Sequence, residues 1–177
     1  MSSPHLTIPP DEHRLLLTHL LPPRPRSEEA AFVFCQVQLT NGEMEFCFLE
    51  TYLVASEEFN SRSLYGIELT DTCKAKVIKR AHDLGASLLE LHSHPRASTV
   101  EFSASDRHGF EDFVPHVWWR LKKKPYAAVV VGPGNFDSLY WTTNAKSPDG
   151  ILELQVGDRR LTPTGLTIKH WDLAYGF

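Results

Sequence analysis

The chain has 177 residues, 42% of them apolar and 23% charged, with a formal net charge of −4. This length and balance suit a soluble protein built round one core, read as one domain over residues 1–177. Weak acidity with mixed signs leaves no electrostatic footprint for nucleic acid or an anionic membrane. No apolar run is long enough to span a bilayer. The opening "MSSPHLTIPPDEHR" lacks the basic start and apolar run of a signal peptide. Cys35, Cys47 and Cys73 form no CxxC pair and read as reduced core residues, so the expected location is the cytoplasm.

In chain order, "PDEHRLLLTHLL" opens with proline and acids and carries Leu16, Leu17, Leu20 and Leu21 on one side, as an amphipathic helix does. "PPRPR" ends it as a stiff connector. The run "AAFVFCQVQLTNGEMEFCFLETYLVAS" places Asn41-Gly42 between two β-rich stretches, which predicts a tight hairpin. "EEFNSRS" reads as a loop and "LYGIEL" as a short strand. "TDTCKAKVIKRAHDLG" spaces Cys73, Val77, Ala81 and Leu84 helically, with a Thr/Asp start and a Gly stop. "ASLLELHSH" reads as a strand. "SASDRHGFEDFVPHVWWRLKKK" predicts a helix with a stripe from Phe110 to Leu121, kinked or interrupted at Pro115. "YAAVVVG" and "DSLYWTT" make a strand pair, and "ILELQV" and "LTIKHW" offer weaker strands. This order predicts a mixed α/β (α+β) domain, a central sheet flanked by helices.

Chemistry concentrates in "LHSHP". Residues i and i+2 of a strand share a face, so His92 and His94 can converge on one ion, and Glu90 shares that face as a partner for a histidine. Asp106 follows at the start of the next helix. Two imidazoles and one carboxylate leave a fourth tetrahedral position for water, the pattern of catalytic zinc. Ser103-x-x-Asp106 is equally a capping box, and the two roles are compatible. A general base is still needed, with Glu28, Glu29 and Glu90 as candidates.

These residues resemble the JAMM motif of the JAB/MPN-domain metalloproteases, in which a glutamate precedes H-[ST]-H-P and then a serine three residues before an aspartate. His92-Ser93-His94-Pro95 and Ser103-Ala104-Ser105-Asp106 match it over a stretch of resemblance running from about residue 10 to 142. The His94-to-Ser103 spacing is one residue longer than the commonest form. Aligning "EEAAFVFC" with the family's small-residue segment puts Glu28, rather than Glu29, at the glutamate position. The resemblance implies a curved mixed sheet flanked by helices, of the cytidine-deaminase-like kind. It implies zinc held by His92, His94 and Asp106, water activated by Glu28, and an oxyanion stabilised by Ser103. It further implies hydrolysis after the C-terminal glycine of a ubiquitin-like protein, in the manner of compact prokaryotic deubiquitinase-like enzymes, some of them in antiviral defence operons. The partner would be a ubiquitin-like protein or its conjugates, reached by strand addition at the 62–69 edge; Trp119 is a second candidate contact. Two other readings stay open: a non-catalytic interaction scaffold, and a metal hydrolase of small amide or thiocarboxylate conjugates.

Overall fold

The computed structural model describes residues 3–171. In chain order it contains β1 (His5–Ile8), α1 (Pro10–Leu20), β2 (Ala30–Thr40) and β3 (Glu43–Leu53). A 3-10 turn at Ser56–Glu58 leads to β4 (Phe59–Ser63), β5 (Gly66–Leu69), α2 (Asp71–Leu84) and β6 (Ser87–Ser93). Then come α3 (Ala104–Arg120), β7 (Tyr126–Val131), β8 (Phe136–Trp141), β9 (Glu153–Val156), β10 (Arg159–Leu161) and α4 (Leu166–His170). Eight strands form one curled mixed sheet in the order β10-β9-β1-β3-β2-β6-β7-β8, while β4 and β5 pair as a separate hairpin.

Helices cover both faces of the sheet. Side chains alternate along β2, so Ala30, Phe32 and Phe34 meet α2 and α3, whereas Ala31, Val33 and Cys35 face the α1 side. Strand β7 divides in the same way, with Tyr126, Ala128 and Val130 on one face and Ala127, Val129 and Val131 on the other. Because β2, β6 and β7 are covered on both sides, their sequences read as continuous apolar runs. Leu16 and Leu20 seat α1, each contributing about 1.5–3 kcal/mol by burial.

Local signals explain several boundaries. Asn41 and Gly42 take φ of 53° and 79°, the positive values that the tight β2–β3 turn requires. Thr70 caps α2 by accepting from the Cys73 N–H at 3.1 Å, and Gly85 ends it at φ 62°. Among the described residues no helix is long and apolar enough to cross a membrane. All three cysteines are free thiols.

The structure corrects the sequence reading in four places. The run "EEFNSRS" is a strand rather than a loop: Phe59–Ser63 pairs with Gly66–Leu69, so the hairpin turns at Leu64-Tyr65 instead of starting a strand there. "LTIKHW" is not a strand; Leu166–His170 is a helical turn, started by Gly165 at φ 67° and by Asp137, which accepts from the Gly165 and Thr167 N–H groups. Helix α3 runs through Pro115 without interruption. A proline inside a helix costs about 3 kcal/mol, and the burial of Phe110, Val114, Val117 and Trp118 on both sides of it outweighs that cost. Finally, β1 and β10 had no assigned role. β1 lies parallel between β3 and β9, pairings that join residues far apart in the chain.

Candidate metal centre

The site forms where β2 and β6 end together. The antiparallel register sets Ala30 opposite His92. The Glu29 N–H donates to Ser93 Oγ at 3.0 Å, and the Ser93 N–H donates to the Glu29 carbonyl at 3.1 Å. Alternation then decides the directions of the side chains. Ser93 is buried behind the sheet, while His92 and His94 project toward α3 beside Glu28. The Glu28 N–H donates to the Ser63 carbonyl at 2.7 Å, which ties the same segment to the β4–β5 hairpin.

Helix α3 supplies the carboxylate. Ser103 Oγ accepts from the Asp106 N–H at 3.1 Å, and Asp106 Oδ2 accepts from the Ser103 N–H at 2.7 Å, a reciprocal capping box. The same Oδ2 stands 3.3 Å from His92 Nε2 and 3.2 Å from His94 Nε2. The two Nε2 atoms are themselves 3.3 Å apart. Capping and metal ligation are thus compatible on one side chain.

This triangle has the spacing of ligands round a small metal ion. Ligands about 2.0–2.1 Å from a tetrahedral ion lie about 3.3–3.4 Å from each other, which is the spacing of these atoms. Glu28 Oε1 is further off, 3.7 Å from His94 Nε2. Glu28, His92 and His94 each still bring a ligand atom within 4.8 Å of the others, and this buried group could hold a metal ion. Glu28 Oε2 is buried with no hydrogen-bond partner among the described residues. Leaving such an atom unsatisfied costs about 1–3 kcal/mol, and it gives Glu28 an acceptor that a ligand in the site could use.

The electrostatics follow from burial and proximity. Burial raises the Glu28 carboxyl above its ordinary value, only partly offset by the two histidines. Burial opposes charge on His92, but Asp106, Glu90 and Glu28 outweigh it and lift the imidazolium pKa to about 9. Burial also works against the Asp106 charge, yet His92 and the hydrogen bonds from His94 and Ser103 hold its carboxyl well below the usual range.

The other candidates fall elsewhere. Glu29 pairs with Arg62, 2.6 Å from the guanidinium, and does not face the histidines. Glu90 shares the face of His92, but its carboxylate accepts from the Tyr126 hydroxyl rather than from an imidazole. Burial raises its pKa as well. Trp119 is 72% exposed on α3 under the Arg120 guanidinium, 4.8 Å from its ring, and lines neither cavity at the metal centre.

Two cavities meet at the cluster. One, of about 290 Å³, is lined by Glu28, His94 and Ser103 together with Leu64, Tyr65 and Arg96. The other, of about 460 Å³, is lined by His92, Asp106, Glu90 and the β5 residues Ile67–Leu69.

A supporting chain of contacts escaped sequence reading. Asp137, fully buried, accepts from Thr167 Oγ1 at 2.7 Å, and Thr167 Oγ1 accepts from the Phe102 N–H at 2.9 Å. The Phe102 ring lies 5.6 Å from that of His92, directly before Ser103. A lone acid opening an apolar strand was the one local hint. The loop that carries Phe102 also crosses Gly132 closely, where a Cβ would run into the Val100 side chain. Neither a scan against protein-family models nor a search of the curated proteins finds a match for this chain.

Proposed function

We propose that this chain is a zinc-dependent isopeptidase of the JAMM type, with a JAB/MPN-like fold. It would hydrolyse the amide bond after the C-terminal glycine of a ubiquitin-like protein, in the cytoplasm. The observation that carries the reading is the meeting of His92, His94 and Asp106 at tetrahedral-edge distances, with the unpartnered carboxylate oxygen of Glu28 beside them.

A zinc ion held by those three ligands supplies Lewis acidity to water and to the scissile carbonyl. The remaining work falls to side chains of the chain itself. Glu28, with its proton affinity raised by burial, takes a proton from the attacking water and hands it to the leaving amine. Ser103 Oγ accepts from the Asp106 N–H, so its hydroxyl proton is free to donate toward a developing oxyanion. The extended glycine tail of the acyl side suits the larger cavity. There the outer edge of β5 offers main-chain groups for strand addition.

The test is a fusion in which a ubiquitin-like protein's terminal glycine precedes a folded reporter, with cleavage mapped by mass spectrometry. The zinc-loaded chain is expected to cut after the glycine. Glu28→Gln is expected to keep its zinc and lose about 10²–10⁴-fold in rate, the usual worth of a general base. Zinc-loaded wild type that cuts neither this fusion nor a short peptide containing Gly-Gly would overturn the hydrolase reading in favour of an interaction scaffold. Cutting only the short peptide would redirect it to small conjugates.

A further inference from the structure

The rim of the smaller cavity carries an exposed charged group, Arg96, that the proposed mechanism does not use. Arg96 lines it with Glu28, His94 and Ser103. Elsewhere the arginines near carboxylates are engaged: Arg62 with Glu29, Arg80 with Glu50, and Arg160 with Glu43 and Glu153. Arg96 has no hydrogen-bond, ion-pair or ring partner among the described residues. It follows Pro95, and the Ala97 N–H bonds back to the His94 carbonyl at 3.1 Å, so a tight turn holds it next to the metal centre.

Which side of the scissile bond this cavity serves follows from proton transfer. A group that protonates the leaving amine must lie within hydrogen-bond reach of it. Glu28 is that group and lines the smaller cavity, so the leaving amine belongs there, resting on the proposed hydrolase reading. The acyl tail is left to the larger cavity along β5. At about 290 Å³ the smaller space is at the low end of ligand pockets and suits a group of amino-acid size. Its walls are Leu64, Tyr65 and Ala97, with Arg96 as the added cation. A guanidinium forks two parallel donors onto a carboxylate.

We propose that Arg96 is a specificity-determining residue that binds a carboxylate on the leaving-amine side of the scissile bond. Two sources share that chemistry: the free α-carboxylate of a terminal amino acid, and an acidic side chain next to the cleaved bond.

The test uses acylated peptides in which Gly-Gly is followed by Ala with a free carboxylate, Ala-amide, Asp-amide or Asn-amide. Titration calorimetry on zinc-loaded Glu28→Gln measures affinity without turnover, alone and combined with Arg96→Gln. Binding is expected to be about two- to fivefold tighter for a carboxylate peptide than for its amide partner, the worth of a solvent-exposed ion pair. Arg96→Gln should abolish the difference and Arg96→Lys should restore part of it. The Ala pair reports a terminal carboxylate, and the Asp/Asn pair an acidic side chain. Equal binding in both pairs, a preference that survives Arg96→Gln, or no binding of any peptide overturns the proposal. With wild type, the same preference should appear in kcat/KM, mainly through KM. Carboxylate-selective binding without any cleavage would sink the hydrolase reading and, with it, the leaving-amine role of Arg96, leaving only a carboxylate-binding arginine. Cleavage of both members of each pair at equal rates would keep the hydrolase reading and overturn the role of Arg96.

Discussion

His92 Nε2 and His94 Nε2 stand 3.3 Å apart, with a single oxygen of Asp106 within 3.3 Å of both. One Nε2–H can donate to the facing Nε2 or to Asp106. A metal ion bound there would take both imidazole lone pairs in place of those protons. Asp106→Asn separates ligation from capping, because an amide oxygen can still accept from the Ser103 N–H. Its zinc affinity should fall by more than the roughly 10–100-fold typical of losing an outer partner of a metal ligand. Asp106→Ala should lose zinc and also about 1 kcal/mol of cap stability. Elemental mass spectrometry of the folded variants, beside wild type with about one zinc per chain, reads the first effect. Chemical denaturation reads the second.

Zinc should stabilise the fold through mass action. At about one hundred times its dissociation constant, a ligand of the native state adds about 2.7 kcal/mol, or about 5–10 °C in Tm for a chain of this size. Scanning calorimetry with and without zinc, reversed by a chelator, checks this. An unchanged Tm would mean that the cluster does not bind the ion in the native state.

Proton release gives a second view of the same site. In the metal-free chain the His92 pKa is raised to about 9. Stabilisation from this charge is complete below the ordinary imidazole value of about 6.5 and fades as pH rises through about 9. A zinc ion bound there would take the same lone pair, so its uptake at neutral pH would expel the proton. Zinc affinity should therefore climb with pH and level off near pH 9. Calorimetry in buffers of different protonation enthalpy should find about one proton released per zinc at pH 7.

Asp137 should matter for stability and for the site at once. It accepts from the N–H groups of Ser138, Gly165 and Thr167 and from the Thr167 hydroxyl. Asp137→Ala leaves buried donors unpaired at about 1–3 kcal/mol each. Urea unfolding should show a loss of about 3 kcal/mol or more. Because Thr167 also holds Phe102, a folded Asp137→Ala chain should bind zinc more weakly than wild type, measured by competition with a chromophoric chelator.

Much of this protein is decided within short windows of sequence. Asn41-Gly42 specifies the β2–β3 turn because each residue tolerates positive φ. Thr70 and Gly85 delimit α2, and Ser103-x-x-Asp106 starts α3, through bonds that span three or four residues. His92 and His94 share a face because a strand repeats every two residues. Tertiary structure decided the rest. Local periodicity does not separate Glu28 from Glu29, and only the motif resemblance favours Glu28. The register that pairs Ala30 with His92 turns one to the histidines and leaves the other with Arg62. The place of β1 between β3 and β9, the latch from Asp137 to Phe102, and the setting of Arg96 beside Glu28 join residues tens of positions apart. Such contacts leave no periodicity in the sequence, since their free energy comes from surfaces that meet only once the sheet has closed over its core.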